Sequence, residues 1–365
     1  MRNMKKRLFA GTAAVLLAAV LFLPVEAQAI SAEKAILMDA VTGRILYEKD
    51  CDSQSLIAST TKIMTALVVC EQSNVLDRMR IPEEAVGIEG SSMYLQEGEI
   101  LTVQELLYGM MLHSGNDAAV ALAIYCGGTV EGFAELMNDK ARVLGMKDSH
   151  FVNPNGLDAP GHYSTARDLA ILASYAMENP IFRQTVSAKN VTVGNRYLRN
   201  HNKLLWQFDG ADGVKTGFTK AAGRILVSSA LRNGRRLVAV TINAPDDWQD
   251  HATLLESGFS EFSVHRIVDA GSVLGETEIA GGQFAKVRLI AGDDFDYPLG
   301  KGEVPEILIS GPGFVYAPVV NGAEAGVAHV CLDGKSVGKI PLYFGDTIEA
   351  VRNEKKSFWN RLFGG

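Results

Sequence analysis

The sequence predicts an α/β chain of the α+β kind: helices packed on an antiparallel sheet, then a small all-β domain and a C-terminal amphipathic helix. Three observations lead there. Apolar residues recur at helical spacing through the middle of the chain; Asn233-Gly234, a strong two-residue hairpin turn, separates two long strand-like runs; and beyond Val264 the composition shifts to Gly, Val and Ile with repeated turn signals.

In chain order, Arg2, Lys5, Lys6 and Arg7 precede an uncharged, mostly apolar stretch from Leu8 to Leu23 and then Ala27-Gln28-Ala29. That is the pattern of a secretory signal peptide over residues 1–29, and the apolar stretch is shorter than the roughly 20 residues a membrane span needs. The exported part then begins with Ala35 to Lys49, where two strand-like runs flank Thr42-Gly43 as a hairpin. From Thr60 to Cys70 the spacing of Ile63, Met64, Leu67 and Val68 predicts a buried helix that starts near Ser59. Further helices are expected at Val103 to Leu112, Asp117 to Cys126, Val130 to Leu144 and Ala166 to Met177. At Asp212 the period changes, and DGVKTGF with RILVSSALRNGRRLVAVTINA predicts three antiparallel strands, closed by a helix from about Asp247 to Phe262. The helix-and-sheet unit is therefore placed at 30–262, the β-rich domain at 263–350 and the terminal amphipathic helix at 351–365. In that tail Phe358, Trp359, Leu362 and Phe363 share one helical face, with Arg352, Lys355, Lys356 and Arg361 supplying positive charge. Such a segment fits a lipid surface or the surface of its own β-domain.

Charge and cysteine content narrow the function classes. Removing residues 1–29 takes away four bases and Glu26, so the formal charge of −7 becomes about −10, which speaks against nucleic acid as a partner. Cys51, Cys70, Cys126 and Cys331 form no C-x-x-C pair and are too few for a disulfide framework, although one bridge stays open. No H-E-x-x-H motif occurs, and neither metal nor cofactor is expected.

Three short motifs carry chemistry: Ser59-Thr60-Thr61-Lys62, Ser114-Gly115-Asn116 and Lys215-Thr216-Gly217, separated by 55 and 101 residues. A serine hydroxyl needs a neighbouring base to become a nucleophile at neutral pH, and residues i and i+3 of a helix share a face, so Lys62 can reach Ser59. For Lys62 to accept a proton it must be neutral when needed, which burial and a nearby cation such as Lys215 can arrange. Taken singly the motifs are weak. Ser114 and Asn116 also suit the N-cap of an apolar helix, Lys215-Thr216-Gly217 also suits an ordinary strand, and Ser336-Val337-Gly338-Lys339 repeats S-x-x-K inside an expected strand, where i and i+3 point to opposite faces. Their order and context make the set specific.

With those motifs, and with NPNGLDAPGHYSTARDLA (Asn153 to Ala170), HNKLL before the K-T-G strand and TGFTKAAGRILVSSA from within it onward, the chain resembles the low-molecular-mass D-alanyl-D-alanine carboxypeptidases, which are bacterial penicillin-binding proteins. The resemblance covers most of residues 33–262 and implies a penicillin-binding/β-lactamase-like catalytic domain, followed by the family's usual β-domain and tail. It implies Ser59 as acyl-ester nucleophile, Lys62 as general base, Ser114 as proton relay and Asn116 as the holder of a substrate carbonyl. Lys215 would supply positive charge, Thr216 and Gly217 would line the carboxylate side, and the backbone N–H groups of Ser59 and Phe218 would form the oxyanion hole. The partners implied are peptidoglycan stem peptides ending in D-Ala-D-Ala, β-lactam antibiotics that acylate Ser59, and the outer face of the cytoplasmic membrane beneath the cell wall. One departure stands out: the stretch Pro245 to His251 offers no arginine where some relatives use one to grip the substrate carboxylate.

Rival readings are a class A β-lactamase, a Ser-His-Asp hydrolase, a DD-endopeptidase and a non-catalytic wall-binding module. From Met146 to Asp168 there is no glutamate to drive lactamase deacylation, and no G-x-S-x-G elbow occurs. His113 beside Ser114 is expected to be an ordinary surface or core histidine, because neighbours in a helix do not face one another.

Overall fold

A computed structural model describes residues 29–351. The signal-peptide reading of 1–29 and the amphipathic helix read over 351–365 fall almost wholly outside the described residues.

The first hairpin, Lys34–Asp39 with Ile45–Lys49, forms one edge of a five-stranded antiparallel sheet. Lys34–Asp39 pairs along its other side with Arg235–Ile242, which pairs with Gly223–Arg232, which pairs with Ala211–Thr219 at the far edge. The first and last strands of this sheet in chain order thus pair with each other inside it, and the K-T-G strand is left with one free edge. Asn233-Gly234 makes the hairpin turn, both residues having positive φ as a type I′ turn requires. The Asp247–Glu261 helix covers one face of this sheet, packing its Leu254 and Leu255 with Leu37 and Leu237.

The other face carries the helical body. Its centre is the Lys62–Gln72 helix, in which every residue from Lys62 to Cys70 is buried. That total burial explains an apolar sequence with no polar face. Around it pack Val103–Leu112, Asn116–Gly127, Val130–Leu144 and Ala166–Ala176, all at or within a residue or so of the expected positions. Thr102 with Glu105 makes a reciprocal capping box at the start of the first of these. Several elements escape the apolar pattern because they are short, among them the Pro180–Ser187 helix, the Asn190–Val193/Arg196–Arg199 hairpin and the Arg78–Arg80/Ile100–Thr102 strand pair.

The local geometry at Ser59 differs from the expectation of a helix starting there. Ala58–Thr61 is a single 3-10 turn, and the α-helix begins at Lys62. The i to i+3 relation survives because a 3-10 turn also brings those positions to one side.

Beyond the Asp247–Glu261 helix, Phe262–Val268 pairs with Phe295–Gly300, and a six-stranded sheet follows with its own core of Val287, Leu289, Ala328, Val330, Ile340 and Leu342. Arg44 of the first hairpin reaches across to pair with Glu303 at 2.5 Å. The four cysteines are all free thiols. Burial pushes Cys51 and Cys126 up to about 11 and Cys70 up to about 12, which leaves them inert as nucleophiles.

Candidate active site

The site lies where the central helix, the Ser114 turn and the free edge of the K-T-G strand meet. Ala58, just before Ser59, holds φ 45°, and Ser114 holds φ 64°. Left-handed backbone at two non-glycine residues beside one cavity is strain that the surrounding packing must sustain. Two glycines show how close that packing is. A Cβ on Gly156 would stand 1.9 Å from the Ala58 carbonyl oxygen, and one on Gly217 would stand 3.2 Å from that of Ile57. Only glycine fits at position 156, and a side chain at 217 would need its neighbours to shift, so the Asn153–Gly156 loop and the K-T-G strand close on the Ser59 turn from both sides.

Lys62 is fully buried, and its Nζ lies 3.1 Å from Ser59 Oγ while it donates to Asn116 Oδ1 at 2.6 Å and to the Asn155 carbonyl at 2.6 Å, which leaves the lone pair of a neutral amine for the serine proton. A buried ammonium without an ion-pair partner loses several kcal/mol of hydration, so the neutral amine is favoured. Burial holds Lys62 well below the ordinary lysine range, the Lys215 charge pushes the same way, and the Asp117 carboxylate opposes them. Lys215 is also fully buried, and burial pushes it down to about 7. Its Nζ donates to the Thr216 carbonyl at 3.0 Å.

Asn116 spans the site. Besides accepting from Lys62, its amide donates to the Glu89 carbonyl at 2.5 Å, which leaves one N–H free. Next to it Asp117 accepts from the backbone N–H groups of Met93 at 2.9 Å and Leu95 at 3.1 Å and from Ser92 Oγ at 2.6 Å, fixing the loop that brings Ser91 to the pocket. The capping alternative for this motif is not what the structure adopts. Gly115 occupies the cap position, with no side-chain cap, and Asn116 is the first residue of its helix.

The cavity holds about 340 Å³ and is lined by Ser59, Ser114, Thr216, Gly217 and Phe218 among others. Together with Lys62, Asn116 and Lys215, every residue singled out by the three motifs converges here. The second S-x-x-K lies in the Lys335–Phe344 strand of the β-domain, far from it in the chain's topology.

Other contributors were not found from the motifs. Asn155, whose carbonyl accepts from Lys62, sits in the N-P-N-G text without announcing a role. Lys203, Arg224, Asp247 and Trp248 also line the cavity. Arg224 brings to the cavity a cation that Pro245–His251 lacks. It pairs in register with Phe218, so it projects on the same sheet face as Phe218 and Thr216. The buried Asp247 holds its guanidinium at 2.6 Å and 2.8 Å. The pairing of Phe218 with Arg224 across the Thr219–Gly223 turn was the available signal, legible only once that turn length is known.

His162 donates no proton chemistry to the cavity. Its Nδ1 accepts from the Val152 N–H at 3.2 Å, so Nε2–H donates to Thr61 Oγ1 at 2.8 Å, and burial pushes it down to about 4. It is a neutral strut under the Ser59 turn.

The comparisons with known proteins agree with this geometry. A family model described as D-alanyl-D-alanine carboxypeptidase matches residues 23–246, and one described as penicillin-binding protein 5, C-terminal domain, matches residues 262–350. The chain is 32% identical to the D-alanyl-D-alanine carboxypeptidase DacF of Bacillus subtilis over 327 residues, covering 85% of this chain and 84% of that protein. It is 37% identical to DacD of Escherichia coli over 291 residues, covering 74% of each. Penicillin-binding protein 5 from Haemophilus influenzae superposes with a TM-score of 0.76 at 31% identity, covering 88% of this chain and 98% of that one. A buried lysine on a serine, a strand edge beside it and a match of this length together place the chain in the D-alanyl-D-alanine carboxypeptidase family of penicillin-binding serine peptidases.

Proposed function

We infer that the chain removes the terminal D-alanine from peptidoglycan stem peptides through an acyl-enzyme on Ser59, and that β-lactams acylate the same oxygen. The carrying observation is Lys62 Nζ, buried, depressed in basicity and 3.1 Å from Ser59 Oγ.

Neutral Lys62 takes the Ser59 proton as Oγ attacks the carbonyl between the two D-alanines. The strand edge at Phe218 and the N–H of Ser59 receive the oxyanion. The free N–H of Asn116 holds a peptide carbonyl of the acyl donor, and Ser114 relays the proton to the departing amine. Lys215 and Thr216 face the terminal carboxylate, and Arg224, steadied by Asp247, is the cation that grips it. Water then hydrolyses the ester.

Release of D-alanine from diacetyl-Lys-D-Ala-D-Ala, abolished in Ser59→Ala, tests the reading; a folded chain that neither releases D-alanine nor takes a labelled β-lactam overturns it. A lactamase would turn penicillin over quickly. Among the described residues Lys62 and Ser59 contact no carboxylate, and the position beside Lys62 is taken by the Asn155 carbonyl, so slow release is expected.

An exported protein held at the outer face of the cytoplasmic membrane is the accompanying proposal. It rests on the signal pattern of residues 1–29 and the basic, one-faced apolar pattern of Arg352 to Phe363. Deleting residues 352–365 should abolish sedimentation with anionic vesicles; unchanged sedimentation would remove the tail's role.

A further inference from the structure

The chain passes from the catalytic domain to the β-domain once, at Phe262, where the Asp247–Glu261 helix runs straight into the Phe262–Val268 strand without a loop. The neck at that point is thin. Two open clefts of about 410 Å³ each adjoin it, and Ser263 lines both. A single crossing at the end of one element, with open space beside it, is where a chain absorbs a change of domain angle most cheaply.

One side chain spans this neck. Arg44, at the turn of the first hairpin, leaves the catalytic domain and is only 10% exposed against the β-domain. Its guanidinium lies 5.2 Å from the ring centre of Phe262 and 5.2 Å from that of Tyr297, so it bridges an aromatic of the neck and one of the β-domain. Nη1 donates to the Pro298 carbonyl, and Nη2 donates to Glu303 Oε1 at 2.5 Å. The other Glu303 oxygen accepts from the Gly300 N–H at 2.6 Å, so the acceptor is itself fixed. Among the described residues, every side-chain hydrogen bond and ion pair that crosses between residues 30–262 and 263–350 is made by Arg44.

The catalytic domain holds Arg44 out on a rigid mount. Asp39, 2% exposed, accepts through Oδ1 from the Thr42 N–H at 3.0 Å and from Thr42 Oγ1 at 2.9 Å, which fixes the turn that precedes Arg44. Through Oδ2 it accepts from Arg235 Nε at 2.9 Å. Arg235 Nη1 in turn donates to the carbonyls of Gly258 at 2.9 Å and Phe262 at 2.7 Å, where the helix meets the neck. One buried carboxylate thus steadies both the arginine that crosses the neck and the arginine that anchors its near side. Taking a guanidinium out of water is costly, and the carboxylate, the carbonyl and the two rings offset that cost only in one relative placement of the two domains.

We propose that Glu261–Ser263 is a hinge and that Arg44 is the latch holding it at one angle, so that a single side chain sets the orientation of the serine cavity relative to the β-domain. The latch acts whatever peptide the cavity cleaves. It is also remote from the chemistry: the Ile45–Lys49 strand and the K-T-G strand are opposite edges of the five-stranded sheet, four strand spacings or about 19 Å apart. Releasing Arg44 therefore changes where the cavity points and leaves its geometry intact.

Hydrogen exchange and small-angle X-ray scattering on the full chain test the latch. The variants are Arg44→Ala, which removes every crossing contact; Glu303→Gln, which removes only the ion pair; and Arg266→Ala as a control, which breaks a pair to Asp296 inside the β-domain. Arg44→Ala should speed exchange over residues 259–265 by tenfold or more and broaden the scattering distance distribution into a spread of domain angles. Glu303→Gln should shift both in the same direction by less, and the control should move neither. Exchange in the buried Lys62–Gln72 helix and D-alanine release from a soluble peptide should stay within twofold of the parent throughout. A parent chain whose scattering already requires many domain angles would overturn the latch. So would Arg44→Ala with unchanged scattering and neck exchange, or a gain in exchange as large in the Lys62–Gln72 helix as at the neck, which would make Arg44 a support of the catalytic fold.

Discussion

Ser59 to Lys62 and Ser336 to Lys339 spell the same pattern, yet they sit in opposite surroundings. In the first, the lysine is wholly buried with three oxygen partners and the serine faces a cavity. In the second, both side chains are exposed on a strand of the β-domain, and Ser336 Oγ reaches only the Gly338 carbonyl at 3.4 Å. The same asymmetry runs through the two domains. The catalytic domain buries Lys62, Lys215, Asn116, Asp117, Asp168 and His251, whereas Thr277 is the sole buried polar side chain of residues 263–350. Charges of the β-domain pair at its surface instead, as Arg266 does with Asp296. A nucleophile is thus made by the desolvation of its neighbour rather than by spelling. Burial in water-excluded packing converts an ordinary lysine into a base.

Several measurements would break or sharpen that contrast. Ser59→Ala should lower D-alanine release by more than about 1,000-fold and abolish covalent β-lactam labelling seen by mass spectrometry. Lys62→Met, which keeps the volume without the amine, should slow acylation by about 100- to 10,000-fold in stopped-flow assays, the usual range for losing a general base. Arg224→Gln should reduce kcat/KM on a substrate with a free C-terminal carboxylate by about 10- to 150-fold, the value of a charged hydrogen bond of about 1.5–3 kcal/mol. A matched substrate with an amidated C-terminus should lose far less, and equal losses would remove Arg224 from the carboxylate grip.

The pH dependence follows from the two lysines. Lys62 must be neutral, and its proton affinity is depressed, so acylation rises as pH climbs through its lowered value. Lys215 must be charged, and it is pushed down to about 7, so acylation falls above that by about tenfold per pH unit. In Lys215→Arg the guanidinium keeps its charge, so the alkaline limb should vanish while the acid limb remains. A profile unchanged in that variant would assign the limb to another group. The smallest effect is expected at the second tetrapeptide, where Ser336→Ala and Lys339→Met should each leave D-alanine release within about twofold, as surface changes outside a site do.

Much of this was legible in the chain itself. The K-T-G strand, the Asn233-Gly234 hairpin and the helices at Val103–Leu112 and Val130–Leu144 carry strong periodic or turn signals, because one face of each is solvated or the turn demands positive φ. The short Pro180–Ser187 helix and the hairpin at Asn190–Arg199 have too few residues to establish a period. The 3-10 turn at Ala58–Thr61 is invisible for a different reason: φ 45° at Ala58 is held by packing of the Asn153–Gly156 loop against it, about a hundred residues away.

Alone, the order of residue types determined which groups can act: a hydroxyl, an amine three positions on, an amide and a second amine on a strand. Tertiary structure decided what those groups are worth. It excluded water from Lys62 and Lys215 and set the Asn155 carbonyl against one of them. It also carried Arg224 to the cavity from a strand where no motif marks it. Proton affinity and charge complementarity depend on distances and desolvation between segments remote in sequence, and those exist only once the chain has closed on itself.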